Sequence, residues 1–147
     1  MIATQPLALI GRGVALSYER QIAPRLSAVA LGGVRGAAEQ DFSSKTVTAG
    51  AELRYWLRGR TPMRGPFLAL HASGAYTRLT DDAMGYVGSQ VALAQRLDIG
   101  WRFTIRDRVA IAPAVGLGLR EDIDGAGRLA TTVRGHLAIG LELGWMR

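Results

Sequence analysis

The sequence predicts an all-β chain, an eight-stranded antiparallel up-and-down β-barrel of the transmembrane kind, and three observations predict it. Apolar residues recur at every second position over most of the 147 residues, the period of a strand rather than a helix. The chain is 48% hydrophobic, too apolar for a disordered segment. Yet no run of it approaches the ~18 apolar residues that a membrane helix requires. The length fits one domain, residues 1–147.

The alternation is clearest in four segments. Val91, Leu93, Gln95, Leu97, Ile99, Trp101 and Phe103 oppose Ala92, Ala94, Arg96, Asp98, Gly100 and Arg102. Val47, Ala49, Ala51, Leu53, Tyr55 and Leu57 oppose Thr48, Gly50, Glu52, Arg54, Trp56 and Arg58. Val109 to Leu119 at odd positions opposes Ala110, Ala112, Ala114, Gly116, Gly118 and Arg120. Val133, Leu137, Ile139, Leu141, Leu143 and Trp145 oppose Arg134, His136, Ala138, Gly140, Glu142 and Gly144. Strands are expected at 14–21, 26–35, 46–58, 67–78, 87–103, 108–120 and 129–146. An eighth at 2–9 would turn near Gly11-Arg12-Gly13, with Pro6 inside it. Short turns near Pro24, 59–66 and 105–107 are expected to take turns with longer polar loops at 36–45, 80–85 and 121–128. Such a meander has two unlike ends.

Periodicity does not say which face is buried. Three features favour large residues outside. The opposite face is rich in Ala and Gly, which suits the crowded interior of a barrel of ~8 strands. Aromatic residues gather near the expected short turns and the C-terminal end: Tyr18, Tyr55, Trp101, Phe103 and Trp145, with Trp56 and Phe67. A belt of rings there suits a membrane interface, and Tyr76 and Tyr86 would form a thinner one at the other end. Charge is also polarised. Arg20, Arg25, Arg58, Arg60, Arg64, Arg102, Arg106, Arg108 and Arg147 fall at the short-turn end, and Glu39, Asp41, Asp81, Asp82, Glu121, Asp122 and Asp124 in the loops. A basic ring beneath an aromatic belt suits anionic headgroups.

The net charge of +6 is carried almost wholly by arginine, Lys45 being the one lysine. The arginines do not cluster on a helix and no nucleic-acid motif accompanies them, so no nucleic-acid partner is expected. The absence of cysteine excludes disulfides and thiolate metal sites. No glycine-rich phosphate loop follows a strand and opens a helix. Residues 1–5 lack the basic and apolar regions of a signal peptide and read as a mature chain or one never secreted.

Several stretches resemble small bacterial outer-membrane barrels of uncharacterised function, the outer membrane protein A/X-like eight-stranded barrels. They are Val14-Ala15-Leu16-Ser17-Tyr18-Glu19-Arg20 with Ala23-Pro24-Arg25-Leu26-Ser27, and Ala51-Glu52-Leu53-Arg54-Tyr55-Trp56-Leu57 with Arg64-Gly65-Pro66-Phe67-Leu68. Gly100-Trp101-Arg102-Phe103 and the final stretch 140–145 fit the same pattern. The resemblance implies a bacterial outer-membrane location, a lipid bilayer as partner, short periplasmic turns and external loops. Such barrels commonly end on an aromatic residue, whereas Trp145 is followed by Met146 and Arg147.

The candidate site is an interior charge network of Glu52, Arg54, Arg96, Asp98, Arg134, His136 and Glu142. Charges inside a narrow barrel need partners, because desolvation is costly. A plug of ion pairs is favoured over a proton or ion path, since eight strands leave no aqueous channel. The expected function is therefore structural, anchoring or partner-binding through loops or wall, with no catalysis, cofactor or metal. Two alternatives belong to other classes. A soluble eight-stranded barrel would turn the large residues inward around an apolar ligand. An outer-membrane lipid hydrolase would use His71 and Ser73, which share a strand face but have no assignable acid in the sequence. Asp122-Ile123-Asp124-Gly125 resembles the start of a calcium loop but lacks its later ligands, and an Asp-Gly turn explains it.

Overall fold

A computed structural model describes residues 2–4, 13–39, 42–57, 63–81, 85–106, 108–124 and 132–145. The strands are β1 (Ile2–Thr4), β2 (Gly13–Ala23), β3 (Leu26–Glu39), β4 (Phe42–Trp56), β5 (Gly65–Asp81), β6 (Gly85–Ile105), β7 (Val109–Asp124) and β8 (Thr132–Trp145). The seven long strands β2–β8 form one antiparallel sheet in which each pairs with the next in sequence. The three-residue β1 pairs antiparallel with β2 (Ile2↔Tyr18) and with β8 (Ile2↔Trp145). Of the expected first strand, residues 5–9 lie outside the described residues, as does the turn at Gly11 and Arg12.

The expected alternation of long and short connections is not observed. Residues 36–45, expected as a loop, are mostly strand: β3 and β4 stay paired down to Glu39↔Phe42. Likewise Asp81 still pairs with Gly85, and β7 continues to Asp124. Backbone ladders satisfy N–H and C=O groups whatever the side chains are, so polar sequence does not end a strand. Conversely, eight residues separate Trp56 from Gly65, where a short turn was expected. Gly65 there takes a left-handed φ of 85°, as does Met63 at 56°, conformations that bend the connection back on itself.

The faces divide as the alternation requires. Leu117 is 69% exposed and Ile139 74%, and Leu70, Leu97 and Leu137 are similarly outward. Inward stand Ala69, Ala92, Ala110 and Ala112 with a set of ionised side chains. The soluble alternative needed the large residues inside, and they are outside. Two aromatic assignments are corrected. Trp56 and Phe67, grouped with the belt, are 1% exposed and point inward, because each occupies the small-residue register of its strand. They pack at 5.3 Å between ring centroids, with Ala69, Ala112 and Met63 around them. Tyr18, Tyr55, Trp101, Phe103 and Trp145 do point outward, and Trp101 stacks on Phe103 at 6.1 Å.

The sheet is rolled. Arg54 on β4 reaches Glu142 on β8, and Arg102 on β6 reaches Glu19 on β2. Glycine makes this close interior possible at two places. A Cβ on Gly116 would overlap the Asp98 carboxylate, and one on Gly100 would overlap the Phe67 ring. On β7, Pro113 cannot donate to a ladder. Pairing between β6 and β7 lapses beside it and resumes in the same register at Phe103↔Ile111.

Candidate functional site

Alternation dictates the site. Glu19 shares the inward face of β2 with Ser17, Glu52 and Arg54 share that of β4, Arg102 that of β6 and Glu142 that of β8. Rolling the sheet brings these five side chains from four strands to one point. Arg54 is the hub: Nη1 donates to Glu19 Oε2 at 3.0 Å, Nη2 to Glu142 Oε2 at 2.7 Å, and Nε to Glu52. Arg102 Nη2 donates to Glu19 Oε2 at 2.5 Å and lies 3.3 Å from Glu142 Oε1. The Arg102 and Glu19 side chains are wholly buried, and the other three are nearly so.

Each guanidinium offers its edge to carboxylates and its face to a ring. Arg54 lies 5.1 Å from the Phe67 centroid and Arg102 4.9 Å from that of Trp56. Such contacts favour a desolvated cation. The neutral neighbours complete the bonding. Ser27 donates to Glu19, and Trp56 Nε1 donates to Ser27 Oγ at 3.1 Å. The Trp56 N–H donates to the Arg25 carbonyl at 2.8 Å, and Leu57 N to the Pro66 carbonyl at 3.0 Å. The cluster is thus closed off at the end of the molecule where β2 turns into β3.

Above it sits a separate pair, Arg96 and Asp98, 2.6 Å apart with Asp98 buried. A cavity of about 110 Å³ lies between pair and cluster, lined by Glu52, Arg54, Arg96, Asp98 and Glu142. It is polar and large enough for water. Five of the seven expected network residues therefore surround one interior space. The other two do not join them. Arg134 is exposed beyond that level, opposite Arg120 on β7. His136 packs beside Gly118, and its Nδ1 has no hydrogen-bond partner among the described residues.

Two members of the cluster were missed. Arg102 was grouped with the basic ring at the turn end, yet it is buried. Glu19 was read only as part of a strand. The signal for both was their strand parity: Glu19 follows Ala15 and Ser17, and Arg102 follows Arg96, Asp98 and Gly100. Of the expected turn-end arginines, Arg20, Arg25, Arg106 and Arg108 are exposed, while Arg58, Arg60 and Arg147 lie outside the described residues. Among the loop acids Asp81 is buried instead, and Asp41 and Asp82 lie outside the described residues.

His71 and Ser73 face inward, with His71 Nε2 3.1 Å from Ser73 Oγ. The acid that the sequence could not supply is Glu52, whose Oε2 lies 3.5 Å from His71 Nδ1. That contact does not qualify as a hydrogen bond, and the other Glu52 oxygen is held by Arg54. A nucleophile relay is therefore bonded at one joint only. Asp122 accepts from Arg120 Nε at 2.8 Å within β7, and Gly125 lies outside the described residues. No group of three or more metal-ligating acids or histidines occurs among the described residues. Comparison of the chain with family models, curated proteins and solved structures finds no match.

Proposed function

We propose that the protein is a closed eight-stranded transmembrane β-barrel of a bacterial outer membrane. On this reading it is a structural, anchoring or partner-binding element without catalysis, and the ion cluster shuts its interior. The observation that carries the reading is the inverted surface. Leucines, isoleucines or valines stand outward on every long strand, on β3 through Val34, while the five charged side chains of the cluster are buried inside. A water-facing sheet with that surface would associate through it, whereas a bilayer accepts it directly. The outward rings of Tyr18, Tyr55, Trp101, Phe103 and Trp145 suit one bilayer interface. The pairing of β1 with both β2 and β8 supports closure, which leaves no unpaired edge in the membrane. The bonded cluster supports a shut interior. It is the kind of plug that an eight-stranded barrel, too narrow for a channel, fills with side chains.

Detergent dependence tests this reading. The chain should fold only with detergent or lipid, and should migrate differently on a gel before and after boiling. Planar bilayers containing it should show no steady conductance. A chain that stays monomeric and folded in plain buffer overturns the membrane reading. Stable conductance steps overturn the shut interior.

A further inference from the structure

The rim at the turn end, where β2 turns into β3 and β6 into β7, carries cations that the fold does not use. Arg20, Arg25, Arg106 and Arg108 are exposed, and their side chains have no ion-pair or hydrogen-bond partner among the described residues. Asp107 lies outside the described residues. The acids nearest this end, Glu19 and Glu142, are buried and held by Arg54 and Arg102. The loop end differs. There Arg120 is held by Asp122, and Arg35 and Arg78 also have partners.

These cations follow the aromatic belt. Arg20 stands two residues beyond Tyr18 on the outward face of β2. On β6 the outward run of Trp101, Phe103 and Ile105 leads straight into Arg106, and Arg108 precedes Val109, the partner of Trp145 across the sheet. Four strands, β3 to β6, separate the turn at Arg25 from the turn at Arg106, so on the rolled sheet the cations ring the end instead of gathering at one point. Arg106 also takes a left-handed φ of 49°. Glycine adopts that conformation without strain, yet the turn holds a guanidinium there. Strain retained in a turn points to a use for the side chain.

Charge complementarity and depth select the occupant. Rings that stand outward at the edge of an apolar wall lie at the level of the lipid headgroups, so a cation just beyond them meets phosphate. We propose that the turn end is seated on anionic phospholipids and selects the leaflet that is richer in them. Phosphates face Arg20 and Arg25 on one side and Arg106 and Arg108 on the other, while Trp101 and Trp145 lie beside the glycerol. The inference rests on the membrane reading above and deepens it, because it names the lipid class and the end of the molecule that binds it.

Tryptophan quenching in vesicles tests it with probes already in the chain. Trp101 and Trp145 face outward at this end, and Trp56 is buried. The full chain is reconstituted in dioleoylphosphatidylcholine vesicles holding a minor share of either phosphatidylglycerol or phosphatidylcholine with brominated acyl chains. An arginine at a headgroup favours the anionic lipid by about five-fold. Brominated phosphatidylglycerol should therefore quench more strongly, and high salt should remove the excess. Replacing all four cations, R20Q, R25Q and R108Q with Arg106→Gly, should abolish it, while K45Q at the loop end should leave it unchanged. Glycine suits the left-handed turn, and the heat-dependent gel shift checks that each variant folds. Equal quenching in the wild type, an excess that high salt leaves intact, or one that survives the four replacements overturns the proposal. So does an equal loss in K45Q. Inorganic phosphate should reduce the excess no more than sodium chloride of the same ionic strength; a specific loss would show a site for free phosphate and overturn the lipid assignment. A chain folded in detergent-free buffer overturns both readings; one that inserts into vesicles but shows equal quenching overturns this one alone.

Discussion

The interior has two levels, and they treat charge differently. At the level of Trp56 and Phe67, Glu19, Arg54, Arg102, Glu142 and Glu52 are buried and joined into one cluster through the two guanidiniums. At the level of β7 and β8 nearer the opposite end, Arg120 and Asp122 form a local pair, 2.8 Å apart, on a single strand, and the Arg120 side chain is half exposed. Between the two lies the Arg96–Asp98 pair, with Arg96 about a quarter exposed. Burial rises along this series: the two outer pairs each join one cation to one acid, whereas the most buried level joins five side chains. Desolvation explains the trend, because a charge removed from water must recover its solvation from neighbours. A charge near an open end recovers it from water.

The largest effect should come from breaking the sealed level. Arg102→Ala leaves Glu19 with one guanidinium fewer and removes the cation over Trp56. Removing one partner of a buried ion group costs about 3–5 kcal/mol. In detergent, Arg102→Ala should unfold at distinctly lower urea concentration than the wild type, read by the gel shift. A variant as stable as the wild type would mean that water reaches this level. Removing charge from both sides, as in Arg102→Met with Glu142→Leu, should cost less than Arg102→Met alone, since the remaining Glu19 and Glu52 both keep Arg54.

The two levels were unequally legible in the sequence. Parity identified Glu52, Arg54, Arg96, Asp98 and Glu142 as inward, and all five surround the interior cavity. Parity alone could not show which charges meet, since Arg54 and Glu142 are 88 positions apart and are joined only by the roll of the sheet. Glu19 and Arg102 were hidden by their position near strand ends, where charges usually face water. Trp56 and Phe67 also lie near strand ends, where rings usually belong to an outer belt. Their parity said otherwise, but an aromatic near a turn is ambiguous when both a membrane interface and an interior cap would take it. Strand ends were the least legible part. Residues 36–45 look like a loop by composition and are held as strand by backbone bonds that leave no mark on side-chain chemistry.

A smaller effect should follow from the neutral frame of the sealed level. Trp56 donates to Ser27, Ser27 donates to Glu19, and the Trp56 ring covers Arg102. Trp56→Phe keeps an aromatic ring but loses the indole donor, so one buried hydrogen bond goes while the ions stay paired. The expected cost is about 1–2 kcal/mol, the usual range for a buried donor lost from a bonded chain. Unfolding in urea should therefore shift less than for Arg102→Ala. An equal shift would make the indole and its hydrogen bond, and not the ion pairs, the main support of this level.

The smallest effect belongs to Arg120. Its partner Asp122 lies two residues along the same strand, and both are within reach of water. An exposed pair of this kind contributes about 0–1 kcal/mol, and Arg120→Gln also relieves Arg134, opposite it, of a like charge. The two terms oppose each other, so the urea midpoint should stay within error of the wild type. The comparison fails if Arg120→Gln destabilises as strongly as Arg102→Ala. That outcome would mean that the charges near the open end are desolvated too, and burial would no longer account for the different number of partners at the two levels.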